Sequence, residues 1–405
     1  MIDTKWDIIL AGSGMSGFSL ALECARRPFF RRHNILLIDR EEKTKNDRTW
    51  CFWAHDDEPM LPVVFKTWDK CLFFGKDFEA ELDISPFRYR MIRGLDFYTW
   101  AKSELAKHPN VRMIRADILE IDAPNGMVLT DRGAFTGEWI FNSALSKARV
   151  LPALNPLFPD PFTYPETNSR VSGYTRLLQH FRGWIIETPA PAFDPGLMTF
   201  MDYRPGQKDD TRFVYVLPFS ETRALIEFTV FSPALCTDEE YDRELTDYIQ
   251  RYLGIRDFRV EEREFGVIPM TDYPFGRARE GRVIHIGTAG GFVKASSGYA
   301  FKRTQRKLRD MVDLWEKTGT PDAEVLRSAW RYRFYDSVML RVLLDRAVSG
   351  RDFFSRLFKK LPPQLVFRFL DEDTSVPEDI RLLSAPPAWP FFKTALKLIP
   401  RYLKI

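Results

Sequence analysis

Three glycines and one carboxylate open the chain at a spacing suited to a phosphate-rich ligand. Gly12, Ser13, Gly14 and Gly17 belong to a Gly-Ser-Gly-Met-Ser-Gly loop, and Asp39 follows about twenty residues later. In such a loop the first glycine permits a tight turn and the second lets backbone amides approach a pyrophosphate. The third lets the next helix pack closely. Asp39 stands where a carboxylate accepts the hydroxyls of an adenosine ribose. Three elements must hold these groups. Asp7 to Ala11 (DIILA) predicts a strand and Asn34 to Asp39 (NILLID) a second one. Between them Phe18, Leu20, Ala21, Leu22 and Ala25 recur at helical spacing. The result is a βαβ unit whose helix start offers free amides to phosphate.

A second glycine cluster lies late in the chain. Gly281 to Gly287 (GRVIHIG) predicts a buried strand, and Thr288-Ala-Gly-Gly291 follows it directly. Alone it reads equally as an ordinary turn before a helix; beside the first loop it favours amides returned to the flavin side of a dinucleotide. The third candidate is a lone acid, Glu227. Thr211 to Pro218 and Arg223 to Phe231 predict strands joined by a turn at Phe219 to Thr222. Alternation sets Leu225, Glu227 and Thr229 on one face and Ile226 and Phe228 on the other. That pattern fits an exposed strand residue or a buried acid.

The rest of the composition narrows the classes. With 405 residues, 45% hydrophobic and 28% charged, the chain reads as globular, with two interleaved domains. Its 34 Phe, 14 Tyr and 10 Trp suit a large aromatic core, a long apolar ligand site or a membrane-facing surface. A net charge of +3 and the lack of a nucleic-acid motif argue against nucleic-acid binding. Four cysteines without a CxxC pair and five histidines without ligand spacing indicate neither a disulfide framework nor a metal site. The first strand begins at once, leaving no room for a signal peptide, and no apolar run is long enough to span a bilayer. The expectation is a cytoplasmic protein whose membrane contact, if any, is peripheral.

Taken in order, the segment after Asp39 is polar and turns abruptly aromatic at Trp50, Phe52 and Trp53. Arg93 to Lys107 predicts a helix, Val111 to Ile121 a strand, Gly126 to Thr130 its hairpin partner and Trp139 to Ala144 a buried strand. Five prolines between positions 151 and 165 mark a crossing between domains. Gly183 to Thr188 predicts a further strand, and Asp238 to about Leu253 a helix. In the tail Lys393, Lys397 and Arg401 recur every four positions beside Phe392, Ala395, Leu396 and Ile399. That pattern suits an interfacial helix meeting anionic lipid, or a docked helix with a solvated basic face.

Over nearly its whole length the chain resembles the lycopene cyclases, FAD-containing enzymes that close rings on the ends of acyclic carotenoids. The resemblance rests on Asp7 to Gly17, on Asn46-Asp-Arg-Thr-Trp-Cys-Phe-Trp53, on Gly287-Thr-Ala-Gly-Gly291 with Ser297-Gly-Tyr299, and on Leu225-Ile-Glu-Phe-Thr229. Redox flavoenzymes usually carry Gly-Asp where this chain has Gly287-Thr288. The last motif resembles the family's FLEET, whose first glutamate does acid–base chemistry and matches Glu227; its second acid is Phe228 here, which puts the weight on Glu227 alone.

The resemblance implies an α/β fold of the FAD-binding Rossmann-like, glutathione-reductase or hydroxylase type, with an interleaved antiparallel-sheet substrate domain and a helical C-terminal region. Residues 1–150 and 270–320 would bind FAD, 151–269 the substrate, and 321–405 would form the helical region and possible membrane dock. It implies Gly12, Ser13, Gly14, Gly17, Asp39, Arg48, Gly287, Thr288, Gly290 and Gly291 at the cofactor, and Trp50, Trp53, Phe228 and Tyr299 around the substrate. It further implies lycopene or related acyclic carotenoids as substrate, β-ionone rings formed without net redox change, and reduced FAD supplied by NAD(P)H. A prenyl-chain reductase or hydroxylase of the same fold, or a cofactor-free prenyl-lipid carrier, are the rival readings. Ring type, the number of ends closed and the oligomeric state stay open.

Overall fold

The computed structural model describes residues 5–57, 60–144, 149–151, 174–273, 275 and 279–403. The proline-rich crossing falls almost wholly outside them. The first sheet grows from the opening strand β1 (Lys5–Ala11), which is buried along most of its length and pairs in parallel with β2 (Ile35–Asp39) and β11 (Gly133–Asn142). Burial on both faces is what a central parallel strand requires, and the run DIILA supplies it. Strand β8 (Val111–Arg115) extends this sheet beyond β2. On the other side β9 (Ile118–Asp122), β10 (Met127–Thr130) and β12 (Arg149–Leu151) follow β11, while β18 (Arg279–Glu280) and β19 (Val283–His285) return to its far half. The single strand expected over Val111 to Ile121 is therefore two, placed on opposite sides of β1. The late strand shrinks to Val283–His285. Helices α1 (Met15–Ala25), α2 (Gly94–Leu105) and α4 (Phe301–Thr318) cover one face, packing Phe18, Phe97, Leu308 and Trp315 into a core.

The second sheet has seven strands in the order β17 (Arg259–Thr271), β13 (Arg176–Glu187), β16 (Arg223–Ser232), β15 (Thr211–Pro218), β14 (Leu197–Asp202), β5 (Lys70–Phe74) and β6 (Glu79–Asp83). Its last two strands come from a segment to which the sequence assigned no element. One face packs on α3 (Asp238–Arg251), burying Ile226, Phe228 and Val230 against Tyr241, Leu245 and Tyr248. This helix starts where Thr237 accepts the Glu240 amide at 3.2 Å, and three acids in its first turn favour the dipole. The opposite face carries the largest core. Into it pack α5 (Trp330–Leu344), α6 (Gly350–Lys360), α7 (Pro363–Leu370), α8 (Val376–Leu383) and α9 (Ala388–Tyr402). A small sheet of β3 (Thr49–Ala54), β7 (Arg88–Arg93) and β4 (Lys66–Trp68) joins the two cores. No helix among the described residues is long and apolar enough to cross a membrane.

Candidate active site

The opening loop has the shape its glycines foretold. Gly12 takes a φ of 103°, and a Cβ on Gly17 would fall 2.0 Å from the Gly12 carbonyl oxygen, so neither position admits a side chain. Beside Gly14, by contrast, a Cβ would meet nothing within 4 Å. Helix α1 begins there with no side chain capping it. Asp39 is tied to the loop: one oxygen accepts the Ser13 amide at 2.7 Å and the other the Glu41 amide at 2.9 Å. The second glycine turn abuts the first, since a Cβ on Gly287 would lie 2.5 Å from Ser16 Oγ. Thr288, Gly290 and Gly291 follow in that turn, but the helix expected immediately after it begins only at Phe301. An uncapped helix start, open ground at Gly14 and a carboxylate fixed to the loop together suit a dinucleotide. Arg48 is exposed, its guanidinium donating to the Asp47 carbonyl at 2.7 Å.

Strand β3 carries the aromatic run and divides it by alternation. Trp50 and Phe52 turn to the first core, with ring centroids 5.7 and 5.0 Å from Phe301. Thr49, Cys51 and Trp53 turn the other way. Trp53 stacks on Phe367 at 4.5 Å, meets Tyr299 edge-on at 4.6 Å and donates its indole N–H to Asp371 at 2.9 Å. Thr49 Oγ1 donates to Glu264 Oε2 at 2.8 Å.

That last bond leads to the acids. Across the second sheet, Gly183 is the register partner of both Glu227 and Glu264, and Tyr215 is the partner of Glu227 on its other side. Four strands thus present a row reading Glu264, Gly183, Glu227, Tyr215. Glu227 Oε1 accepts the Thr229 hydroxyl at 3.0 Å, and Glu264 Oε1 is buried with no hydrogen-bond partner. Burial, then the Glu264 charge and carboxyl contact, push the Glu227 carboxyl well above the usual carboxylate range; the Thr229 hydrogen bond opposes this. Burial also raises Glu264, against its contact with the Glu227 carboxyl and the hydrogen bond from Thr49. Around them burial drives the Cys51 thiol and the Tyr89 and Tyr215 phenols upward, so these groups stay neutral.

Beyond the row lies an almost wholly apolar cavity of about 360 Å³, between the second sheet and the C-terminal helices. Phe200, Phe231, Phe334, Phe353 and Phe391 line it, as does Tyr299, whose hydroxyl lies 3.3 Å from that of Tyr89. Tyr299 is held by its segment: Lys294, buried, donates to Asp336 at 2.9 Å and Glu372 at 3.2 Å, and its amide bonds the Tyr299 carbonyl at 2.9 Å. Of the four residues expected around a substrate, Tyr299 alone lines this cavity. Trp50 and Trp53 are spent on the cores. Phe228 is a correction: it points through the sheet at α3, because alternation turns it away from Glu227. Glu264, Tyr215 and Gly183 were missed; a glycine inside a strand was the one local sign of a close approach.

A family model described as "Lycopene cyclase protein" matches residues 7–396. A lycopene beta-cyclase of a Paracoccus species is 24% identical over 413 residues, covering 97% of each chain. Among solved structures, a geranylgeranyl bacteriochlorophyll reductase-like protein of Thermoplasma acidophilum superposes with a TM-score of 0.62 at 10% identity, over 98% of this chain and 99% of that one. A flavin-dependent brominase, Bmp2, gives 0.54 at 13% identity, over 98% of this chain and all of that one (100%). The two structures share the Rossmann-type α/β fold, and the match over nearly the entire length shows that this chain belongs to the lycopene cyclase family.

Proposed function

We propose that this protein is a flavin-containing lycopene cyclase, which closes the ψ end groups of lycopene into β-ionone rings and so makes β-carotene by way of γ-carotene. The observation that carries this reading is the row Glu264, Gly183, Glu227 and Tyr215, whose Tyr215 meets Tyr299 on the wall of the aromatic cavity and in which burial pushes the Glu227 carboxyl well above the usual carboxylate range. A carboxylic acid is a poor donor to an alkene, so it must be kept neutral and the cation it creates must be stabilised. Glu227 gives its proton to the terminal double bond, and the neighbouring double bond attacks the cation to form the ring. A proton then leaves the ring and returns to a carboxylate, so substrate and product are isomers. Aromatic faces such as Tyr299 offer such a cation about 2 kcal/mol or more in a dry site. Gly12 to Gly17, Asp39 and the turn from Gly287 to Gly291 would hold FAD, which, kept reduced by NAD(P)H, would supply negative charge to stabilise such a cation with no net redox change.

A hydrocarbon of this kind must come from a bilayer, and α9 supports a peripheral dock. Its Trp389, Phe392 and Leu396 are 70%, 55% and 52% exposed, and Lys393 and Lys397 share the outward side. Arg401 is not among the free cations, since it donates to Asp272 at 2.8 Å. The inner side of α9, with Phe391 and Ala395, roofs the cavity. Likeness to a reductase-like protein favours prenyl-chain reduction as the second reading, which predicts reductant consumed in proportion to product. The test is expression in a bacterial host that accumulates lycopene. Cyclic carotene should replace lycopene with the native protein and not with Glu227→Gln, and cyclisation persisting in a folded, flavin-loaded Glu227→Gln would refute the acid.

A further inference from the structure

The FLEET-like motif offers one acid, and the fold supplies another from a different strand. We propose that Glu264 is the partner carboxyl of Glu227, the two sharing one proton across the side-chain-less Gly183. Both acids are register partners of this glycine, on the strands flanking β13. A Cβ at Gly183 would lie 2.8 Å from Glu264 Cγ and 2.9 Å from its Oε1, so the glycine leaves the space through which the carboxyls meet. Glu264 is aimed there by Thr49, which donates to Oε2 at 2.8 Å and leaves the buried Oε1 free of any donor. A protonated Glu227 is the donor that this oxygen lacks.

The roles follow from unlike surroundings. Glu264 accepts from both Thr49 and Glu227, which favours its charge, while Glu227 faces that charge and keeps the proton. The other groups facing the pair are Thr49 and Cys51 from β3, Tyr215 from β15 and Thr229 from β16, with Tyr89 behind Cys51 and Tyr299 behind Tyr215. The charges of Glu262 and Arg48 act on Glu264 from outside, the one raising it and the other lowering it. When Glu227 protonates the alkene, a C–H bond forms and a π bond breaks, leaving two carboxylates side by side. Their repulsion makes the pair a stronger base for the proton that the ring cation then loses, which restores the starting state without oxidant or reductant. Glu264 acts through Glu227 and is a positioning residue.

This inference rests on the cyclase reading, but its test needs no substrate. The infrared band of a protonated carboxyl is followed against pH in the flavin-loaded protein, with Glu227→Gln to assign it. In Glu264→Gln the midpoint of the Glu227 band should fall by about one pH unit or more, and the alkaline limb of kcat/KM with it. Glu264→Asp, which keeps the charge on a shorter arm, should give a smaller fall and guards against a variant that does not fold. A midpoint unmoved in folded Glu264→Gln, or activity lost equally at every pH with no shift, would overturn the pairing. A shifted band in a protein that leaves lycopene unchanged would uphold the pairing and sink the cyclase reading instead.

Discussion

Gly183→Ala probes the acid row with a single methyl group. The added Cβ would sit 2.8 Å from Glu264 Cγ and 2.9 Å from Leu225 Cδ1. Ordinary carbon contacts begin near ~3.5 Å, so the Glu264 stem must retreat by roughly 0.7 Å and Leu225 by roughly 0.6 Å. Such overpacking costs about 1–3 kcal/mol, offset by the ~0.5–1 kcal/mol that alanine gains over glycine inside a strand. The variant should therefore fold, with stability reduced by at most about 2.5 kcal/mol. Its chemistry should suffer more: a misplacement of ~1 Å costs on the order of 10²-fold, so a shift of this size predicts a loss on the order of 10- to 100-fold in kcat. The assay pairs a thermal melt with initial rates of lycopene cyclisation. Rates within about twofold of the native protein would show that spacing across Gly183 does not matter, and the reasoning would fail.

Three further outcomes are expected. Gly14→Ala has free space around it and an ordinary φ of −73°, so it should melt like the native protein yet purify with less flavin, whereas Gly17→Ala should not fold; equal flavin content in Gly14→Ala would dissociate that loop from the cofactor. Leu396→Glu on the outer side of α9 should reduce flotation with anionic vesicles while preserving activity on detergent-dispersed lycopene; unchanged flotation would remove α9 from the dock. His180 and His285 are buried and held neutral by desolvation, their pKa values lowered from 6.5 to about 4. Because the unfolded chain binds those protons first, the stability they contribute is present above pH 6.5 and lost as pH falls toward 4, by up to about 3 kcal/mol each. Denaturant midpoints that stay flat across this window in both the native protein and His180→Gln would contradict it.

The glycine loop was readable because its constraints are local: one positive φ and one close approach, both within six residues of chain. The strands around Glu227 were readable from alternation, which also placed Phe228 on the wrong face for a substrate contact. Glu264 was not readable. It lies on an edge strand whose pattern is half exposed, and its meeting with Glu227 depends on two cross-strand registers that no local period encodes. The same holds for Lys70–Phe74 and Glu79–Asp83, short strands of which the first joins the second sheet by pairing with β14, far along the chain, and the second by pairing with the first.

The division of labour along β3 has a consequence for how this chain can vary over generations. Six consecutive residues serve two cores, odd positions facing the core of the second sheet and even positions that of the first. Replacing one residue disturbs one side. Inserting or deleting one would exchange the sides, sending Trp50 and Phe52 toward the carboxyls and pulling Thr49 away from Glu264. Length in this stretch is therefore more tightly constrained than composition, and lineages should drift by substitution here while indels collect in the loops at either end.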